Sequence, residues 1–220
     1  MGLSVVNKIL LVITKGEIMK INTIRLRVAL GTLAILLPWI VALLNGGIPD
    51  SISATYYVAS CITPFMIILG ASSILLMSYK GYDLQDDLIL TISGIMGLCV
   101  CLFPTYEKGM EYVGTFQVPV IMSSTIHNIT AIIFFILLAY NSFFLFTKGD
   151  GHPTKKKKIR NIIYRVCGIG MIASFSILLL PPFDIQIWLI ETIALFFFGI
   201  SFLTKADIFP WLFCDTPYKD

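Results

Sequence analysis

The sequence predicts an all-α fold, a polytopic transmembrane bundle of six helices, and three observations carry that prediction. The first is composition. Of the 220 residues, 57% are hydrophobic and 13% charged, against roughly 45–50% and about 25% in soluble domains; mean hydropathy is +0.87. The second is spacing, because six apolar runs approach or reach the roughly 20 residues that cross about 30 Å of hydrocarbon. The third is charge placement. If the chain crosses six times, fifteen of its sixteen Lys and Arg residues fall on one side, and only Lys108 on the other. The cytoplasmic side carries such an excess, so both termini are expected in the cytoplasm, in a bacterial-type plasma membrane. The net charge of +3 is spent on orientation, so membrane lipids are the expected partners and nucleic acid is not.

Residues 1–23 form an N-terminal cytoplasmic segment. "MGLSVVNKILLVITKGEIMK" has too short an apolar stretch to span and no small-residue cleavage site. It reads either as an over-extended start, with Met19 opening "MKINTIRLRVALG", or as a short amphipathic surface segment. The membrane domain covers 24–205, with spans predicted at 27–45, 57–79, 88–103, 126–146, 162–180 and 185–203, and a cytoplasmic tail follows at 206–220. Pro38 and Pro64 lie inside spans, where each removes a backbone donor and favours a kink. Gly94 and Gly97, Gly168 and Gly170, and Gly199 with Ser201 permit close helix contacts. The connector segment "YVGTFQVPVIM", broken by Gly114 and Pro119, is expected to lie on the surface or dip partway in.

Enzyme templates fall away by subtraction. A zinc hydrolase wants three protein ligands, often His, and this chain has two, His127 and His152, on opposite sides of the expected topology. That argues against a three-His hydrolase of the alkaline ceramidase or progestin-receptor type. HExxH, GxSxG, P-loop and Rossmann patterns are missing. Cys61, Cys99, Cys101 and Cys167 sit in apolar runs without CxxC spacing and read as small hydrophobes. Neither cofactor nor metal is expected. The first and last three spans show no persuasive internal repeat of the kind many transporters have. A polar pore would need assembly into a homo-oligomer.

The stretch "IPDSISATYY" (48–57) stands out at the hydrophobic boundary. Asp50 or Ser51 can cap the second span while Tyr56 and Tyr57 join an aromatic belt, but capping does not account for so many polar side chains. His127 with Asn128, Asp184 and Glu191 are expected on the same outer side. Glu191 is the one acid clearly inside a predicted span, and intramembrane carboxylates are functional candidates by default. Its plainer role is a protonated group packed within the bundle. The candidate ligand-binding set is Asp50, Ser53, Tyr56, His127 and Glu191, rimming an outward-facing pocket for a lipid or small polar ligand. The same residues also suit a metal-free lipid hydrolase or transferase, with His127 as base and Glu191 as acid, or a subunit of a proton-coupled transporter.

Together "SISATYY", "SYKGYD", "LFPT", "IHNITAIIFF", "KKKIRNIIYRVCGI" and "WLIETIALFFFGISFLTK" resemble a family of small bacterial polytopic membrane proteins, distantly similar to the six-span DRAM and Sfk type. The likeness covers about residues 24–205. It implies the six-span topology and brings no activity with it.

Overall fold

The computed structural model describes residues 2–149, 154–177 and 186–208, with the backbone alone for 2–21. It is a bundle of six helices: α1 (Gly2–Asn45), α2 (Ala59–Met77), α3 (Leu84–Leu102), α4 (Val120–Tyr140), α5 (Lys155–Ser176) and α6 (Ile187–Lys205). Each helix packs on its chain neighbours and α6 returns to α1, so the six close into a ring. Five are long and apolar enough to cross a membrane; in α1 this is the part Asn22–Asn45. The described part of α5 carries the charges of Lys155–Lys158, Arg160 and Arg165, and residues 178–180, which would complete the predicted fifth span, lie outside the described residues. Phe65, Leu76, Leu90, Met171, Phe198 and Phe202 fill the centre, while Leu43, Ile67, Ile132 and Ile169 stand exposed on the outside. Large apolar side chains facing outward on apolar helices are what a lipid solvent requires; the chain is an integral membrane protein in contact with lipid.

Local chemistry explains the helix ends. α1 stops where Gly46 adopts φ +76°, and the Gly47 and Gly46 N–H groups donate to the carbonyls of Ala42 and Leu43, a Schellman closure that glycine alone adopts without strain. Residues 2–21 simply prolong α1, whose 44 residues correspond to about 66 Å at 1.5 Å per residue. Helix α3 starts at Leu84, four residues before the predicted span, because Asp83 caps it: its Oδ1 accepts from the Asp86 N–H at 3.0 Å. Asp86 and Asp87 then occupy the first turn, where the positive end of the helix dipole favours acids. Thr154 caps α5 in the same way. The segment before α4 is a small hairpin, Tyr112–Val113 paired with Val118–Pro119. Thereafter "VIMSST" is already helical, so α4 starts six residues ahead of the predicted span. Beyond Tyr140 it runs into one π turn, Asn141–Leu145.

Helices α1 and α6 approach backbone to backbone. A Cβ placed on Gly31 would meet the Gly199 carbonyl at 2.8 Å, and one on Gly199 would meet the Gly31 carbonyl at 2.8 Å. Gly94 lies as close to the Ser73 carbonyl of α2, and Gly168 to the Ala139 carbonyl of α4. The small residues therefore mark helix–helix seams.

At the end of the bundle that bears Arg27 and Lys205, here the basic end, Lys148 donates to Asp83 and Asp86, each at 2.8 Å. The Lys148 hydrogen bond holds the Asp83 carboxyl below the usual carboxylate range, and both acids push Lys148 up. A depressed Asp83 lends stability that is complete above the ordinary carboxylate range and lost as pH falls through the depressed value. A raised Lys148 lends stability complete below its ordinary value and lost only at higher alkalinity. Lys148→Gln is therefore expected to lower the melting temperature near neutrality, with the gap to wild type closing as pH falls below the ordinary carboxylate range and Asp83 protonates. Melting curves across pH check this; a gap that stays constant would contradict it.

Candidate functional site

At the opposite end, here the hairpin end, the chain between α1 and α2 does not run loose. Ser53–Tyr57 form a short 3-10 turn, and Ser51 Oγ accepts the N–H groups of Ser53 and Ala54 at 3.1 and 3.4 Å. Ser51 thus organises this turn rather than capping α2, whose first turn follows Val58 without a side-chain cap. Along this segment and into the turn, residues 51, 52, 53 and 55 are buried, whereas Asp50 is exposed. The Asp50 carbonyl accepts the Trp188 N–H of α6 at 2.9 Å, which pins the segment against that helix.

Glu191, one turn into α6 and half-buried, receives this segment. Ser51 Oγ lies 3.1 Å from its Oε1, the Ile52 N–H donates to Oε2 at 2.6 Å, and Ser53 Oγ lies 3.1 Å from Oε1. On its other side Ser53 Oγ is 3.1 Å from Nε2 of His127 on α4, and His127 Nδ1 is 2.8 Å from the Phe103 carbonyl at the end of α3. His127 is 4% exposed and Ser53 8%. A continuous chain therefore runs from Glu191 through Ser53 and His127 to the Phe103 carbonyl, tying α3, α4 and α6 to the turn.

Donor and acceptor counting fixes how many protons this chain holds. A carbonyl can only accept, so His127 Nδ1 carries a hydrogen and donates to Phe103. If Nε2 is bare, it accepts the Ser53 O–H; the remaining Ser53–Glu191 contact then needs its hydrogen from a protonated Glu191. If Nε2 also carries a hydrogen, that N–H donates to Ser53 Oγ, and the Ser53 O–H donates to an ionised Glu191. Both arrangements contain the same number of protons. They interconvert when Glu191 passes a proton to Ser53 Oγ as Ser53 passes its own to Nε2. With one proton fewer, the single Ser53 hydrogen can serve only one neighbour, and the other 3.1 Å contact sets lone pair against lone pair. All the contacts are satisfied together only with the extra proton in place.

Of the five residues singled out from sequence, Ser53, His127 and Glu191 meet here. Asp50 and Tyr56 do not join them. Asp50 lines a separate open cleft of about 420 Å³ with Asn45, Thr55, Tyr57 and Glu107. Tyr56 is half-buried and packs edge-on against Tyr57, ring centroids 5.4 Å apart. Burial, then the nearby Glu107 and Tyr56, push the Tyr57 phenol up to about 12, in keeping with its O–H donating to the Thr105 carbonyl at 2.6 Å. Asn128 is exposed, and Asp184 lies outside the described residues. The Phe103 carbonyl was beyond sequence reasoning, since a backbone acceptor leaves no residue-type signal. Beneath Glu191 and Ser53 the bundle encloses a cavity of about 60 Å³ walled by Phe65, Leu69, Phe134 and Phe135. That is room for a very few waters. Among the described residues no three His, Cys, Asp or Glu side chains gather as a metal site. No family model, curated protein or solved structure matches this chain.

Proposed function

We propose that this integral membrane protein takes up and releases a proton at Glu191–Ser53–His127, as part of a proton-coupled transport function. The observation that carries the reading is the hydrogen-bonded chain in which one serine bridges a carboxyl and an imidazole and all contacts need one shared proton. Losing that proton costs Ser53 its bond either to Glu191 on α6 or to His127 on α4, so occupancy is coupled to how the turn is held between the two helices. Such coupling of charge to helix contacts is what a proton-driven conformational cycle uses. Its setting, on the lysine and arginine distribution, is a bacterial plasma membrane with both termini cytoplasmic and the cluster at the outer end. A distant kinship with DRAM and Sfk-type six-span proteins belongs to the same proposal.

A hydrolase reading has the right order of groups, with Ser53 beside His127 and Phe103 orienting the ring. It lacks support elsewhere. The Ile52 and Ser53 N–H groups are already bonded to Glu191 and Ser51, which leaves neither for an oxyanion, and a cavity of about 60 Å³ is too small for a lipid headgroup. Binding of a small polar ligand has its own observation, the cleft of about 420 Å³ bordered by Asp50 and Glu107; two carboxylates there favour a cationic ligand such as an amine.

The test is proton flux into vesicles containing the purified protein, under an imposed pH gradient with the membrane potential clamped and a pH dye inside. Flux above that of empty vesicles, abolished by Glu191→Gln, is expected. Wild-type vesicles no leakier than empty ones, or flux that survives Glu191→Gln, would overturn the reading. Amine binding lost in Asp50→Asn with flux absent would favour the ligand site instead.

A further inference from the structure

We propose that the basic end of the bundle is a binding site for a phosphate-bearing anion, seated between α1, α5, α6 and the π turn after α4. Two adjoining cavities open there, of about 280 and 110 Å³. Arg27, Lys148 and Lys205 line both; Lys157 and Arg160 line the larger and Asn141 the smaller. Five cations therefore converge from four parts of the chain.

Their existing partners are uneven. Lys148 is paired with Asp83 and Asp86, and Arg160 with Asp207 at 3.1 Å. Arg27 and Lys205 have no carboxylate within ion-pair distance among the described residues. Arg27 donates from Nε to the Tyr79 hydroxyl at 2.8 Å and from Nη1 to the Lys205 carbonyl at 3.0 Å. The Lys205 ammonium donates to the Phe146 carbonyl at 3.1 Å and lies over the rings of Phe146 and Tyr164. Two half-buried cations held side by side by neutral groups repel each other, and an anion between them would offset that cost.

Asn141 supplies an independent sign. It is 1% exposed, yet neither Oδ1 nor Nδ2 has a hydrogen-bond partner. Buried amides left bare are rare and call for an absent partner. The π turn, where the Phe146 N–H reaches back to the Asn141 carbonyl at 2.9 Å, holds this residue at the cavity wall, and such turns recur at functional sites. Its Nδ2 is a donor for an anion oxygen. A guanidinium fork, several ammonium groups and an amide donor match the many oxygens of a phosphate group better than a single-point anion. The phosphate belongs to a lipid headgroup or to a soluble phosphate, since the site lies where the bundle meets the membrane surface.

Two arms separate these sources. Inorganic phosphate is titrated into the detergent-solubilised protein by calorimetry, and phosphatidylglycerol retained from phosphatidylcholine nanodiscs is counted by native mass spectrometry. Saturable binding in either arm is expected, phosphate alone indicating a soluble ligand and phosphatidylglycerol alone a headgroup. Lys157→Gln with Lys205→Gln should weaken it roughly tenfold, as expected when desolvated charge partners are removed. Lys155→Gln with Lys158→Gln removes the same charge from exposed positions outside the cavities and should change it by no more than about twofold. Because Lys205 also supports packing, Asn141→Leu serves as the second variant: it should weaken binding while raising the melting temperature, since an unbonded amide is replaced by an apolar group. Neither probe binding, or equal weakening by the exposed pair, would overturn the site.

Discussion

Glu191→Ala is expected to cost about 3–5 kcal/mol of stability, measured by unfolding in detergent, the scale of leaving several buried donors unbonded. Its carboxyl engages the Ile52 N–H and the hydroxyls of Ser51 and Ser53. All three residues are 9% exposed or less, so bulk water has little access to the donors left behind. Among the described residues, the Trp188 N–H to Asp50 carbonyl bond is the hydrogen bond that would still tie the segment to α6. Glu191→Gln keeps an oxygen for Ile52 and should cost only about 1 kcal/mol, yet it cannot release a proton. The pair therefore separates two roles: alanine tests the clasp, glutamine tests the proton. Equal stability of the alanine variant and wild type would contradict the hydrogen-bonded clasp.

Gly199→Leu should have a comparable effect at the seam between α1 and α6. There the obstacle to a side chain is the Gly31 carbonyl at 2.8 Å together with Ile35 Cγ1 at 2.5 Å. Backbone cannot rotate out of the way, so the helices must separate along the contact that closes the ring. A loss of about 3 kcal/mol or more is expected, the upper range for overpacking. Gly47→Ala is the control, since nothing lies within 4 Å of its added Cβ; its melting temperature should stay within about a degree or two of wild type. A tolerated Gly199→Leu would mean that α1 and α6 are not packed in this way.

The helical bundle was legible because hydropathy and helix length are set by the same solvent. Span edges were less so. Acids lower hydropathy at the start of α3 while stabilising that end, Asp83 as its cap and Asp86 and Asp87 as dipole partners, so the helix reaches back to Leu84. In the candidate site, Glu191 and His127 stood out by type and position. That Ser53 and not Asp50 meets them depends on the fold of the segment into its 3-10 turn, which buries residues 51, 52, 53 and 55 and leaves 50 exposed, an order that neither helix nor strand patterning anticipates. The basic end was harder still. The run Lys155–Lys158 reads as one solvated patch, but only Lys157, with Arg160 three residues on, lines the cavity. Its partners Arg27 and Lys205 are 178 residues apart in sequence, and nothing local connects them. Asn141 gave no signal because its place depends on a π turn.

The most direct measurement is the infrared difference spectrum of wild-type protein titrated across pH, with Glu191→Gln and Ser53→Ala alongside. Sharing of one proton between Glu191 and His127 should appear as a carboxylic acid C=O band whose loss at higher pH is accompanied by a change in imidazole bands. The band should vanish in Glu191→Gln, and in Ser53→Ala the carboxyl and imidazole changes should separate in pH because their bridge is gone. A Glu191 that stays fully ionised at every pH beside an unchanging imidazole, or signals unaffected by Ser53→Ala, would contradict the shared proton.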